Sequence, residues 1–209
     1  MNKDAILQKI TNDVQNIYKN ALHELPYHGW HHIEFVHQQA LRFAPELGAD
    51  PFLVAIAALI HDLNYVVDAN STFHAGSSMR VELLRNNGFD EEIVQQVEQI
   101  IQQGDRTLRT ADISPEAKAL SDADTLFICL PITPIIFTKG FLIERSISIR
   151  KIADLIINTQ KPLFEQDIFF YSDTAKKYMN WAKTNFELWG NVIEFLDDKE
   201  IFLNISDIK

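Results

Sequence analysis

The chain has 209 residues, 46% of them hydrophobic, which favours one domain with a substantial core. Its formal net charge of −10 argues against broad nucleic-acid binding and against binding to anionic membranes, because both need a basic surface that displaces counterions. The single cysteine, Cys129, excludes an internal disulfide.

The N-terminal residues and the longest apolar run both argue against a membrane partner. Residues 1–20 alternate polar and apolar side chains and lack the apolar segment of a leader peptide. Residues 51–60 are apolar throughout, but this run is about half of the length that spans a bilayer. We therefore expect a cytoplasmic protein without a membrane partner, and the sequence is compatible with a homodimer.

Apolar residues recur at helical spacing along nearly the whole chain, without a series of alternating strands, so the sequence predicts an all-α fold. Asp50 and Pro51 have the residue types of a helix N-cap and first turn. Residues 64–72 are polar and are predicted to form a loop. The predicted helices cover about residues 4–22, 30–44, 51–61, 73–87, 90–103, 114–130, 141–158 and 174–197.

Histidines are concentrated in one short region of the chain, and this clustering favours a metal site. On a helix, His28 and His32 would lie one turn apart and could both face inward, although Gly29 leaves the helical state of His28 open. The five clustered histidines are His23, His28, His31, His32 and His37, while His61 and His74 lie further along the chain.

The apolar stretch PFLVAIAALI runs directly into His61 and Asp62. An unpaired charge in an apolar interior costs several kcal/mol, so these groups are expected to be hydrogen-bonded or bound to a metal. Asp122 and Asp124 point to different sides of a helix, so one can face the site while the other orients a neighbour. Two imidazoles and two carboxylates with open positions favour Mn, Fe, Co or Ni over a closed zinc site. Hydrolysis of a phosphoryl group is the natural chemistry of such a centre.

The motif YHGWHHI, the apolar helix ending in LIHDL, and SDADTL occur in an order that resembles the HD-domain superfamily of metal-dependent phosphohydrolases. That family has the signature H…HD…D on an all-helical bundle. The resemblance implies His32 as the first metal ligand, His61 and Asp62 as the doublet, and Asp124 as the last ligand.

The resemblance also implies a domain organisation and a metal count. We expect a single helical-bundle domain of HD type over residues 1–209, with its motif core at about 25–130 and C-terminal helices at about 141–197 packing on it. Family members with two metals carry further histidines after the doublet, whereas QIIQQGD has none. One divalent ion is therefore expected, without distinction among Mn, Fe, Co, Ni, Mg and Zn.

The expected function is hydrolysis of a small phosphorylated substrate, a nucleotide or related metabolite, by metal-activated water. Asp62 would belong to both the ligand set and the catalytic group. His31 and His74 are candidate general acids, and Asp122 or His28 would support the ligands.

Substrate contacts are expected from the loop GDRTLRT and from the residues after the doublet. Arg106 and Arg109 could each clamp a phosphate group, and Asn64 could contact the substrate. Two alternatives keep the fold: an HD-fold metal oxygenase, and a non-catalytic sensor that binds a metal or a nucleotide.

Overall fold

The chain folds into helices joined by short loops, and the computed structural model describes residues 3–198. No β-strand occurs within this range, and the predicted all-α class is confirmed. The α-helices are α1 Lys3–Lys19, α2 Trp30–Leu47, α3 Pro51–Ile60, α4 Leu63–Val67, α5 Ser77–Asn86, α6 Glu91–Gly104, α7 Pro115–Cys129, α8 Thr138–Arg145, α9 Ile149–Leu155, α10 Lys161–Glu165, α11 Asp173–Lys176 and α12 Met179–Asp197. A 3₁₀ turn at Phe73–Gly76 precedes α5, and π turns occupy Thr133–Phe137 and Ile156–Gln160.

Short polar side chains define where five of these helices begin. Each of them accepts a hydrogen bond from a backbone N–H in the first turn, which satisfies a donor that has no partner within the helix. These N-cap residues are Asp50, Asp90, Ser114, Ser148 and Ser172. The predicted starts near residues 51, 90 and 114 follow from three of them.

Three predicted segments differ from the structure: two predicted helices are each divided in two, and one predicted loop contains a helix. The predicted helix 141–158 is divided because Ser146 adopts a left-handed conformation (φ 50°) and Ser148 then caps α9. The predicted loop 64–72 contains most of α4. The predicted helix 174–197 is divided into α11 and α12 near Tyr178. Side-chain caps at serine compete with continuous helix and are difficult to recognise from periodicity alone.

The central layer consists of α2, α3 and α7, with α2 packed along both of the other two. Residues 54–60 of α3 are all buried, which accounts for its continuous apolar sequence. In the C-terminal half, α9, the π turn Ile156–Gln160 and α12 pack on one another, and α12 also contacts α7.

Within residues 3–198, no single helix has the length and apolar character needed to cross a membrane. One pair of consecutive segments, Pro115–Cys129 and Thr133–Arg145, reaches that length only together and is bent by 71°.

Candidate metal centre

The end of α3 brings His61 and Asp62 side by side. His61 still has helical backbone angles, but Asp62 (φ −102°, ψ 16°) leaves the helix, and this unwinding turns its carboxylate toward the preceding ring. Asp62 Oδ2 lies 3.2 Å from His61 Nε2. The adjacent residues can therefore serve one site, although a regular helix would separate their side chains by about 100°.

Helices α2 and α7 add His32 and Asp124 to this doublet. His32 Nε2 lies 3.1 Å from Asp62 Oδ2 and 3.5 Å from Asp124 Oδ1. The potential ligand atoms of His32, His61 and Asp62 all lie within 4.8 Å of one another. The packing of α2 against α3 and α7 thus positions the four side chains that the sequence singled out.

The hydrogen bonds of the imidazoles fit a divalent cation. His61 Nδ1 lies 2.9 Å from the carbonyl oxygen of Ala58, so this nitrogen donates and Nε2 is the atom that faces the site, where it can bind a metal or, without one, a proton. The Nε2 atoms of His32 and His61 are buried and have no hydrogen-bond partner of good geometry in the described part of the chain. Buried nitrogens with free lone pairs beside carboxylates form the donor set of a metal site, so these residues could hold a divalent ion.

The electrostatics of the cluster also favour a cation. Burial opposes protonation of His61, but Asp62 and Asp124 outweigh it and raise the pKa of His61 to about 9. Burial opposes ionisation of Asp62, but the rings of His61 and His32 hold its pKa well below the usual range. Without a metal, the cluster therefore binds a proton at neutral pH in the place where a metal would bring positive charge.

Aromatic rings fix the orientation of His32. The Tyr27 ring stacks on it with centroids 6.1 Å apart, and the Phe127 ring approaches edge-on at 4.6 Å. These contacts restrict the imidazole to the orientation that directs Nε2 toward the carboxylates. Tyr27 opens the motif YHGWHHI, but no separate role was predicted for it. Phe127 was not predicted to support the site, because an aromatic residue in the apolar part of α7 has the same pattern whether it supports a site or only the core.

His28 lies beside the cluster and pairs with Glu144. One Glu144 carboxylate oxygen contacts His28 Nδ1, and the other accepts the backbone N–H groups of Tyr27 (3.0 Å) and His28 (3.1 Å). The His28 ring stacks on Tyr65 with centroids 3.7 Å apart. Burial lowers the pKa of His28 despite its carboxylate partner. Glu144 is 116 residues away in sequence and has no motif that could have identified it.

The cluster opens on a cavity of about 810 Å³. His61, Asp62 and Asp124 line it, and the two carboxylates are 14% and 22% exposed there. The structure also brings other predicted site residues to this cavity: Asn64, His74 and Arg106. Its apolar lining includes Phe141, Ile152, Ile156 and Trp189.

Two predicted site residues have structural partners elsewhere. Asp122 was expected to support the ligands, but its buried carboxylate accepts the backbone N–H groups of Tyr171 (2.7 Å) and Ser172 (2.8 Å). It therefore joins α7 to the segment that leads into α11. Asp124, two residues later, points to the cluster. The two carboxylates therefore point to different sides of α7, as expected, but Asp122 holds a neighbouring segment of backbone and does not support the ligands.

Arg109 was expected to bind substrate but lies buried outside the cavity lining. Its guanidinium donates to Thr125 Oγ1 at 2.9 Å and to the carbonyl oxygens of Phe169 (3.2 Å) and Ser121 (3.4 Å). These bonds make Arg109 a structural connection between the GDRTLRT loop and α7, although its buried Nε has no hydrogen-bond partner among the described residues.

His31, a predicted general acid, is exposed on another face of α2. Its ring stacks on Phe137 with centroids 5.0 Å apart and lies outside the lining of the cavity beside the cluster. The neighbouring His32 faces the core because consecutive helical residues diverge by about 100°. Of the two predicted acids, the structure brings only His74 to the cavity.

The fold and the site define an all-helical domain with a His, His-Asp and Asp constellation on three core segments. The HD domain family model matches residues 29–127. Residues 29–127 are therefore an HD domain by this match. A comparison with curated proteins finds no match.

Solved structures with low sequence identity share the fold over nearly the whole chain. The Lin1889 protein of Listeria innocua is 20% identical, with a TM-score of 0.59 over 95% of this chain and 97% of that chain. Bacillus subtilis YpgQ in complex with ADP is 23% identical (TM-score 0.60, 94% and 96%). An HD-superfamily hydrolase of Bacillus thuringiensis is 21% identical (TM-score 0.60, 92% and 95%).

Proposed function

We propose that this protein is a metal-dependent phosphohydrolase that acts on a phosphate ester of a nucleotide or related small metabolite. The observation that carries this proposal is the opening of the metal-ligand cluster onto a cavity that also contains arginine side chains. Two relatives support it: the Bacillus thuringiensis structure is that of an HD-superfamily hydrolase, and YpgQ was crystallised with ADP.

One divalent ion held by His32, His61, Asp62 and Asp124 would supply Lewis acidity and lower the pKa of a water molecule. Ala58 orients the His61 ring and the aromatic rings orient the His32 ring, so that each Nε2 faces the site. The carboxylates, which are the more exposed ligands, form the boundary between this cluster and the cavity. Substrate would therefore approach from the carboxylate side.

Arg106 and Arg145 are the arginines that would orient the phosphoryl oxygens. Both line the cavity. Burial opposes the charge of Arg106, but Asp124 and neighbouring groups outweigh it and raise its pKa. The Arg145 guanidinium lies 5.5 Å from the Tyr65 ring centroid and 5.6 Å from that of Phe141, and its Nε donates to Asn70 Oδ1 at 3.1 Å. A guanidinium held in this way can make paired contacts to a phosphate.

His74 is the group that would give a proton to the leaving oxygen as the phosphorus–oxygen bond breaks. It lies on the 3₁₀ turn Phe73–Gly76, its side chain is exposed, and it lines the cavity. Asn64 lies on the same side and donates from Nδ2 to Ser71 Oγ at 3.3 Å, which leaves its oxygen available to substrate.

The proposal is tested first by metal analysis of protein purified without chelator, alongside Asp62→Ala and the control Asp112→Ala, whose carboxylate is exposed in a loop. We expect about one equivalent of a divalent metal in the wild type and in the control, and loss of metal in Asp62→Ala. Phosphate release from a panel of phosphorylated metabolites is then measured with that metal.

Three outcomes separate the alternatives. Metal retention with release of phosphate supports the hydrolase. Metal retention without turnover of any phosphate rejects the hydrolase; redox spectroscopy of the bound metal then separates an HD-fold oxygenase, which needs a redox-active metal, from a non-catalytic sensor. Absence of metal from all three proteins, even after incubation with divalent ions, would refute the metal centre and the function built on it.

A further inference from the structure

One wall of the cavity carries polar side chains that the metal centre does not use. We call it the C-terminal wall, formed by Ile152, Ile156, Gln160, Asn185 and Trp189. The charged residues that line the cavity all lie between His61 and Arg145, whereas the lining residues after Arg145 include no charged side chain. The C-terminal wall is therefore neutral, and the charged side chains of the cavity all come from earlier segments.

Gln160 supplies an unsatisfied amide to this wall. It is the last residue of the π turn Ile156–Gln160, and it is 7% exposed. Its Oε1 is buried without a hydrogen-bond partner among the described residues. A buried polar atom without a partner costs about 1–3 kcal/mol, and a ligand N–H group would remove this cost.

Asn185 supplies a second amide whose orientation is fixed. Its Oδ1 accepts a hydrogen bond from Trp189 Nε1 at 3.1 Å, one turn further along α12. The Nδ2 group therefore remains as a donor, and it makes no hydrogen bond to the rest of residues 3–198. Asn185 as a residue is 6% exposed and lines the cavity, and its Nδ2 is not one of the buried atoms that lack a partner, so this donor is open to the cavity and available to a ligand acceptor.

The surroundings of the two amides are apolar. Ile152, Ile156 and Trp189 are all buried core residues that also line the cavity. A ligand group that fits here is neutral, has apolar faces, and carries both an N–H donor and an acceptor on its edge. A nucleobase has these properties. The hydroxyls of a sugar could also pair with the amides, but a sugar lacks flat apolar faces, and a phosphate is charged.

We propose that the C-terminal wall binds the base of a nucleoside phosphate, with Gln160 Oε1 accepting from the base and Asn185 Nδ2 donating to it. This inference rests on the proposed function and assigns its substrate to the nucleotides. The phosphate would lie beside the charged side chains of the cavity and the base against the neutral C-terminal wall.

The test is isothermal titration of the full chain, without added divalent metal, using five probes. These are the 5′-monophosphates of adenosine, guanosine, cytidine and uridine, and ribose 5-phosphate, which lacks a base. We expect at least one nucleotide to bind about tenfold or more tightly than ribose 5-phosphate. Gln160→Met and Asn185→Leu are each expected to lower the affinity for that nucleotide about tenfold and to leave the affinity for ribose 5-phosphate unchanged.

Matched variants separate base binding from general damage. Asn158→Leu and Asn191→Leu change exposed amides on the same π turn and on α12, and they are expected to bind every probe like the wild type. If loss of the Trp189 partner unfolds Asn185→Leu, Asn185→Asp keeps an acceptor for Trp189 and removes the Nδ2 donor. Asn185→Asp is then expected to lower the affinity for the nucleotide more than the affinity for ribose 5-phosphate.

The inference is overturned if no nucleotide binds more tightly than ribose 5-phosphate. It is also overturned if Gln160→Met and Asn185→Leu lower the affinity for nucleotide and for ribose 5-phosphate equally. Its failure is distinct from failure of the proposed function. Phosphate release from ribose 5-phosphate without any base effect would keep the hydrolase and remove the base site. Base-dependent binding without phosphate release from any probe, with every divalent metal tried, would keep the base site and reject the hydrolase.

Discussion

Asp62 and Asp124 differ in how closely they approach the imidazoles. Asp62 Oδ2 lies 3.1 Å from His32 Nε2 and 3.2 Å from His61 Nε2, whereas Asp124 Oδ1 approaches His32 alone, at 3.5 Å. The shared oxygen of Asp62 therefore joins the two histidines, and Asp124 completes the group from α7. The two carboxylates should consequently contribute unequally to metal binding.

We predict that Asp62→Asn lowers metal affinity about 100-fold and Asp124→Asn about tenfold, within the range typical of substitutions around metal ligands. The physical reason is the number of imidazoles that each carboxylate contacts. Competition against a chelating dye measures both affinities. Equal losses in the two variants would contradict this unequal division.

Metal binding is also predicted to depend on pH. Because the pKa of His61 is about 9 without a metal, binding at neutral pH must displace its proton. Raising the pH removes this competition, so affinity should increase about tenfold per pH unit from pH 6 to 8 and level off above pH 9. Titrations in buffers of different ionisation enthalpy would count the released proton. An affinity that does not change over this range would contradict the prediction.

At the scale of elements, the 3₁₀ turn Phe73–Gly76 packs closely against the residues that follow the doublet. A Cβ at Gly76 would lie 2.6 Å from the backbone nitrogen of Asn64 and 2.9 Å from its Cα. Real Cβ atoms do not approach backbone atoms this closely. The backbone of α4 can lie in its position only because residue 76 has no side chain.

Gly76→Ala should therefore displace α4, destabilise the protein by about 1–3 kcal/mol and weaken metal binding. Gly190→Ala is the matched control, because Gly190 lies within α12 and a Cβ there meets no atom within 4 Å. The control should be more stable by about 0.5–1 kcal/mol, since alanine is the better helix former. Chemical denaturation and dye competition measure both effects. Equal behaviour of the two variants would argue against the close contact at Asn64.

Glu144 connects α8 to the segment before α2. Its carboxylate accepts two backbone N–H groups and pairs with His28, so Glu144→Gln should destabilise the protein by about 1–3 kcal/mol. Glu165→Gln is the control, because its ion pair with Lys161 spans 3.9 Å at the surface and is worth less than about 1 kcal/mol. Urea denaturation of both variants tests the difference. A loss in Glu144→Gln no larger than in the control would contradict the connection.

The sequence could predict the helical class, about half of the described helix starts and the four residues that the fold brings together as a candidate metal site, because these depend on periodicity, caps and an ordered motif. It could not predict the roles of Asp122 and Arg109, since their partners near residues 169–172 lie far along the chain. Gln160 and Asn185 carried no motif. An amide in a helix has the same local pattern whether it faces water or a cavity, and only tertiary packing distinguishes the two.

At the scale of the molecule, the metal cluster joins α2, α3 and α7, which form the central layer. Anything that binds only the folded chain stabilises it, so metal at 100 times its Kd should add about 2.7 kcal/mol. For a domain of this size, Tm should rise by about 5–10 °C. Scanning calorimetry with and without metal tests this, and Asp62→Ala should show no comparable shift. An unchanged Tm in wild-type protein with bound metal would contradict a site shared by the core helices.

The two π turns, Thr133–Phe137 and Ile156–Gln160, both contribute side chains to the cavity, whereas the metal ligands lie on other segments. A π turn holds about one residue more than the α turn it replaces, so gain or loss of one residue rotates the following side chains by about 100°. Such a change would present a new set of side chains to the substrate while the four ligands stayed in place. This fold would therefore allow the lining of the cavity to diverge in single steps during evolution while the cluster of His32, His61, Asp62 and Asp124 is kept.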